Sequence, residues 1–294
     1  MLLYADTPAK HRIGILIVAL ATLCFASLDT SAKWLVTHIP ILEIVWLRLA
    51  IHALLAATWL IPQHGLQIFI VQDFRLQLIR SAMLAAMTAL NFFALQYLQL
   101  AQTAAILFSS PILIALISCY FYKEPLSTPK WCAIIGGFIG VLIILDPFGH
   151  GFHPAMILIL IHATIFAFFN FLTRKIAAHS DPGVTQFYSA LGPTIVLAPF
   201  VFFSWENITS TLDIFVIFLT GFFGFLSHFL LGLAYRYAKP ATLSPFFYQQ
   251  MIYMALFGWL VFGQTPNLHV IVGTILVIGS GLYLWFQEIH QENK

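Results

Sequence analysis

Between residues 13 and 287 the chain is a series of ten apolar runs, 13–36, 41–61, 76–98, 103–122, 131–147, 153–175, 183–203, 212–235, 241–262 and 268–287, separated by short polar gaps. Each is about the length, roughly 17 to 25 residues, at which a helix crosses a hydrocarbon core about 30 Å thick. A helix satisfies its own backbone donors and acceptors, as any chain segment in lipid must. Only 8% of the 294 residues are charged and 61% are hydrophobic, whereas a soluble domain carries about 25% charged residues. The expectation is an all-α integral membrane protein of ten transmembrane helices, with no soluble domain between them. The first run follows Lys10, His11 and Arg12 as a signal peptide would. It is longer than a signal sequence and no small-residue cleavage pattern follows it, so it reads as a retained helix. The cysteines Cys24, Cys119 and Cys132 have no paired spacing, so neither a metal nor a disulfide framework is expected.

The basic residues in the gaps sort to one side. Lys10, Arg12, Arg75, Lys123, Lys130, Arg174, Lys175, Arg236, Lys239 and Lys294 share it, while the opposite loops and span ends carry Glu43, Asp146, Glu206 and Asp213. The positive-inside bias then places both termini in the cytoplasm and the chain in the cell (inner) membrane. The pI near 8.4 reflects this topology, and no nucleic-acid partner is expected from it.

The two halves of the chain echo one another. The stretch ALQYLQLAQTAAILFSSP at 94–111 has a counterpart in GLAYRYAKPATLSPFFYQ at 232–249, and FASLDTSAK at 25–33 has one in FAFFNFLTR at 166–174, which matches Asp29 to Asn170 and Lys33 to Arg174. Five spans per repeat is an odd number, so the second copy must cross the membrane upside down. The expected organisation is two inverted five-helix repeats, 1–147 and 148–294, meeting near mid-depth where a solute can be exposed to either side in turn.

The ten spans and duplicated halves, ALQYLQLAQTAAILFSSPILIALI followed by YKEP at 122–125, IIGGFIGVLIIL in the fifth span and FASLDTSAKWL in the first together resemble the drug/metabolite transporter superfamily, EamA branch. The resemblance covers essentially the whole chain. It implies a ten-helix transporter fold whose first, third and fourth helices of each half line a central cavity. The implied substrates span amino acids, nucleotide-like metabolites, riboflavin and S-adenosylmethionine. One feature departs from the family: neither half has an intact Gly-Glu corner, the sequences there being Lys123-Glu124 and Gly263-Gln264.

Ionisable residues within spans cost about 2.5 to 3.5 kcal/mol each on insertion scales and call for a partner or a role. Asp29 and Lys33 are four residues apart, so a helical ion pair is expected, and Arg48 on the second span can reach the same depth. The excess positive charge can attract a carboxylate or phosphate, or the three can simply pin the first two spans together. Asp29, His162 and His228 are candidates for proton coupling; His52 also falls within a span. Ser109 and Ser110 before Pro111, and Ser244-Pro245 before Tyr248, Gln249 and Gln250, signal broken helices, because proline removes a backbone donor. Asn91, Gln96 and Asn170 add hydrogen-bonding groups. Phe108, Phe166, Phe246, Phe247 and Tyr248 can offer faces to a planar ligand. Gly136, Gly137, Gly140, Gly273 and Gly279 read as close helix packing in the fifth and tenth spans.

The substrate cavity is thus expected from Asp29, Lys33, Arg48, Asn91, Ser109, Ser110, Phe166, Asn170, Phe246, Tyr248 and Gln249. There is no Walker-type phosphate loop, zinc-protease motif or nucleophile elbow, so neither ATP-driven transport nor an enzyme is expected. The expected partners are a small-molecule metabolite and the lipid bilayer, with no cofactor, in a monomer or homodimer. Riboflavin or another flat heteroaromatic compound is the expected cargo, with S-adenosylmethionine or an amino acid as the alternative.

Overall fold

The computed structural model describes residues 8–65, 68, 71, 73–110, 112–113, 128–146, 152–177, 181–203, 205–234, 237 and 243–292. Among these there are ten α-helices and no strand: α1 (Pro8–Leu35), α2 (Ile41–His64), α3 (Phe74–Leu95), α4 (Leu100–Leu107), α5 (Thr128–Leu145), α6 (Ala155–Ala177), α7 (Pro182–Phe203), α8 (Thr211–Ala234), α9 (Gln249–Phe262) and α10 (Leu268–Glu292). Six of them, α1, α2, α3, α6, α7 and α8, are long and apolar enough to cross a membrane, and α5, α9 and α10 carry shorter apolar stretches. Cys119, Pro111, the remainder of the fourth run, the YKEP segment with its Lys123-Glu124 corner, Arg236 and Lys239 lie outside the described residues.

The fourth span is interrupted, as its Ser-Ser-Pro sequence predicts. The α4 helix stops at Leu107, the chain turns through Phe108 and Ser109, and the N–H groups of Ile112 and Leu113 both return to the Ser109 carbonyl. In the second half a 3-10 turn, Ser244–Tyr248, with Pro245 at its start, leads directly into α9. That helix ends at Gly263, whose φ of 64° is a left-handed conformation open to glycine. Beyond it Gln264 Oε1 accepts the backbone N–H of Leu100 at 3.3 Å. The glutamine of the altered Gly-Gln corner therefore satisfies one of the free donors that begin α4.

Long-range packing joins the first five helices to the last five. The α1 helix packs on α8 and α9, α2 on α7 and α8, α3 on α6 and α7, α4 on α6 and α9, and α5 on α10. The last pair is in backbone contact: a Cβ at Gly140 would stand 2.8 Å from the Gly273 carbonyl, and one at Gly273 would stand 2.5 Å from the Gly140 carbonyl. Gly279 does not share this role, because nothing lies within 4 Å of its notional Cβ. It lines an open groove of about 580 Å³ between α5 and α10, with Cys132, Ile275 and Tyr283. Apolar side chains such as Leu16, Trp59, Phe200, Phe203 and Ile252 are exposed, whereas Asp29, Arg48, His52, Gln77 and Arg80 are buried. This inverts the distribution of a soluble protein and fits a bundle whose solvent is hydrocarbon.

The ends of α1 and α3 cap one another. Lys33 Nζ donates to the carbonyls of Leu95 at 2.8 Å and Leu98 at 2.6 Å, and Gln96 Nε2 donates back to the Val36 carbonyl at 2.8 Å. The last carbonyls of a helix lack intrahelical donors and carry the negative end of its dipole, so an ammonium there satisfies both needs. Lys33 also sits 5.7 Å from the Phe262 ring centroid. It does not form the ion pair with Asp29 that the four-residue spacing suggests, because two carbonyls at the end of α3 hold it. Lys33→Met should therefore lower stability in detergent by about 1.5 to 3 kcal/mol, the range for hydrogen bonds made by a charged group. A double-mutant cycle with Asp29→Asn, read by denaturant titration, should give a coupling below about 0.5 kcal/mol. A rescue above about 1 kcal/mol would restore the Asp29–Lys33 pair.

Candidate polar site along the third helix

Helix α3 is the rail to which the buried polar groups attach. Asn91 Nδ2 donates to Asp29 Oδ1 at 2.8 Å, and one turn earlier Thr88 Oγ1 accepts from Arg48 Nη1 at 2.8 Å. Asp29 and Arg48 are near enough for their charges to interact, but among the described residues neither Lys33 nor Arg48 makes an ion pair with Asp29. The guanidinium of Arg48 lies over Gly224 of α8, where a Cβ would stand 3.2 Å from Nε and 3.3 Å from Nη2. The missing side chain makes the room that Arg48 occupies.

One turn after Arg48, the ring of His52 stacks on His228 of α8 at 6.0 Å and 27°. Phe25 of α1 meets His228 edge-on at 5.0 Å. Arg48 Nε, Asn91 Oδ1 and both ring nitrogens of His52 are buried without a hydrogen-bond partner. Such orphans are uncommon in folded proteins and mark places where ordered water or a ligand supplies the missing bond. Here they come from helices that meet around α3.

A third buried cation, absent from the sequence expectations, stands nearer the start of α3. Arg80 is fully buried. Its Nε donates to Thr173 Oγ1 at 2.8 Å, and its Nη1 donates to the Thr185 carbonyl at 3.2 Å and to Ser189 Oγ. The guanidinium carbon lies 4.2 Å from the Phe169 ring centroid. Beside it Gln77 Nε2 donates to Thr185 Oγ1 at 3.3 Å, and Ser81 Oγ donates to the Tyr188 carbonyl at 2.8 Å. The signal was available: Arg80 falls inside the apolar run 76–98.

The other expected residues are placed less uniformly. Ser109 Oγ is buried and unpartnered, while Ser110 Oγ returns to the Leu107 carbonyl of its own segment. Asn170 Nδ2 donates to the Phe166 carbonyl one turn back, and the Phe166 ring lies 6.4 Å from His162, whose buried Nδ1 has no partner. Tyr248 rests against Phe108 at 5.2 Å between centroids, and its hydroxyl fills the notch at Gly281, where a Cβ would collide with it. The two rings touch each other and are buried, so they do not frame a slot for a planar ligand between them. Gln249 Oε1 accepts from Tyr253 Oη at 3.5 Å. Phe246 packs with Val18, Ala234 and Leu243 in a separate apolar cluster, so the expected aromatic residues do not form one sandwich.

Beyond the end of α3 the halves are joined by polar contacts. Asp213 Oδ1 accepts from Trp34 Nε1 at 3.3 Å and pairs with His38 Nε2 at 2.9 Å. Glu43 Oε1 accepts the Glu206 N–H at 2.6 Å. His38, Glu43, Glu206 and Asp213 line a cavity of about 220 Å³ between the α1–α2 corner and the α7–α8 connection.

A model of the EamA-like transporter family matches the chain twice, over residues 12–146 and 153–286. An S-adenosylmethionine uptake transporter of Rickettsia bellii is 23% identical over 285 residues, which cover 96% of this chain and 97% of that protein. A riboflavin transporter of Brucella anthropi is 25% identical over 271 residues, covering 90% and 95%. A solved crystal structure, 14% identical, superposes with a TM-score of 0.66 over 94% of this chain and 96% of that one, which shows a shared fold. The chain belongs to the EamA-like transporter family, and is accordingly a multi-pass membrane transporter and not an enzyme.

Proposed function

We propose that the chain carries a small, flat organic metabolite across the cytoplasmic membrane by alternating access between two inverted five-helix halves, 1–147 and 148–294, with both termini in the cytoplasm. The observation that carries this reading is the polar site on α3, where Asp29, Arg48, Asn91 and His52 gather with unused hydrogen-bonding atoms inside an apolar bundle. A purely structural network would leave few such atoms.

The helix pairing supports the repeat. Exchanging each helix of α1–α5 for its counterpart in α6–α10 turns the α1–α8 contact into α6–α3, α1–α9 into α6–α4, and α2–α8 into α7–α3, and all of these contacts are present. The α2–α7, α4–α9 and α5–α10 contacts map onto themselves. Five helices per unit make the second copy inverted, the plan that places a substrate site at the repeat interface. The arrangement of basic loops supports cytoplasmic termini, which puts the His38–Asp213 contacts on the outer side.

For the cargo, the riboflavin transporter among the relatives agrees with an aromatic content of 16% and with a buried Phe108–Tyr248 ring pair at the broken fourth and ninth spans. The S-adenosylmethionine transporter supports the second reading, a zwitterionic adenine metabolite, for which Asp29 and Arg48 offer both signs of charge.

Purified protein in liposomes should give saturable uptake or counterflow of riboflavin or S-adenosylmethionine without chemical change to either. Asn91→Ala should slow that transport at least tenfold per folded molecule, about 1.4 kcal/mol on the limiting step, by freeing the Asp29 carboxylate. Activity within twofold of wild type would assign Asn91 to packing alone. For topology, Asn207→Cys should react with an impermeant thiol reagent outside intact cells and Asp73→Cys should not. The reverse pattern would refute cytoplasmic termini.

A further inference from the structure

Among the described residues, Arg80 is a buried cation whose partners are all neutral. Among the described residues they come from the second half of the chain: Thr173 and Phe169 on α6, and Thr185 and Ser189 on α7. One guanidinium nitrogen, Nη2, has no partner, and neither has the buried Oε1 of Gln77, which precedes Arg80 by one turn on α3. Asp29 does not balance the charge. Its partner Asn91 lies about 16 Å farther along α3 at 1.5 Å per residue.

We infer that the Arg80 guanidinium is a binding site for an anionic group, a carboxylate or phosphate, of the transported metabolite, held shut by Thr173, Thr185 and Ser189 while no anion is present. The inference rests on the transporter reading and adds the charge class of its cargo. An arginine presents a planar fork of donors that matches either group. A carboxylate or phosphate adds charge attraction and a bidentate pair of bonds that single hydroxyls and a carbonyl do not offer, so an arriving anion displaces the hydroxyls and the carbonyl. Those acceptors are also among the ties between α3 and the α6–α7 pair. Their displacement loosens one half from the other, which links occupancy to opening. Burying a cation without a counter-ion is costly, and the anion offsets that cost while it is bound. A lipid phosphate has the same chemistry, but Arg80 faces α6 and α7 and has no exposed surface.

The test is the apparent melting temperature of the full-length protein in maltoside detergent without phospholipid, with inorganic phosphate or acetate replacing chloride at constant ionic strength. Wild type should be stabilised by phosphate or acetate. Arg80→Gln should require at least tenfold more anion for half the effect, and Arg80→Lys should recover part of it. Ser189→Ala keeps the guanidinium but removes a competing acceptor, so its melting temperature should start lower and respond at lower anion concentrations than wild type. It keeps the test valid if Arg80→Gln fails to fold. An equal response in wild type and Arg80→Gln, an unchanged response in Ser189→Ala, or stabilisation by added phosphatidylglycerol alone would overturn the inference. Liposomes separate this from the broader reading. Flavin mononucleotide should compete with transport better than riboflavin in wild type and lose that advantage in Arg80→Gln. Riboflavin transport with no anion response and no effect of Arg80→Gln would remove the Arg80 site and leave the transporter reading standing.

Discussion

The interaction on which the rest of the bundle depends is the reciprocal cap between α1 and α3. Two helix C-termini lie side by side, each with unsatisfied carbonyls and the negative end of a dipole. Lys33 from α1 fills the end of α3, and Gln96 from just beyond α3 fills the end of α1. This sets the height of α3 against α1, and with it the level at which Asn91 meets Asp29. Because Lys33 is committed to carbonyls, the Asp29 carboxylate is left to an amide. A carboxylate held by a neutral donor can change partner or accept a proton more readily than one locked into an ion pair.

The same economy governs the other buried charges. Arg48 is held by a threonine hydroxyl, and Arg80 by two hydroxyls, a carbonyl and a ring. A dedicated counter-ion at either place would make a tight structural lock, since removing one member of a buried pair typically costs about 3 to 5 kcal/mol. Neutral acceptors are weaker and exchangeable. A transporter must open at its interface, and an interface of charges resting on neutral acceptors suits an element with two arrangements of similar energy.

Much of the fold was legible because lipid imposes a length on every element. The ten runs follow the order of the ten described helices, six of which are long and apolar enough to span, although the fourth run, 103–122, meets only the eight-residue α4 among the described residues. The two broken helices were marked by Ser109-Ser110-Pro111 and Ser244-Pro245. The close α5–α10 contact was marked by Gly140 and Gly273, although Gly279, of the same type, faces an open groove. The site was less legible. Four-residue spacing is a local rule, and the acceptors that take Lys33 are backbone carbonyls, which leave no trace in the side-chain sequence. Arg80 sits near the start of its span, where a long side chain ordinarily snorkels to water, and only the packing of α6 and α7 over it shows that it does not. The contact of Tyr248 with Gly281 joins helices whose relative rotation no sequence period specifies.

The central claim is that the polar face of α3 lines the path of the solute, and a cysteine on that face tests it most directly. In a protein whose native cysteines are replaced by alanine, Thr88→Cys keeps nearly the same side-chain volume at the level of Arg48. It would be exposed to an impermeant thiol reagent applied separately to each side of oriented vesicles. The account predicts modification from both sides, slowed by saturating substrate. A thiol that neither side can reach, or that one side alone can reach with no protection by riboflavin or S-adenosylmethionine, would contradict it.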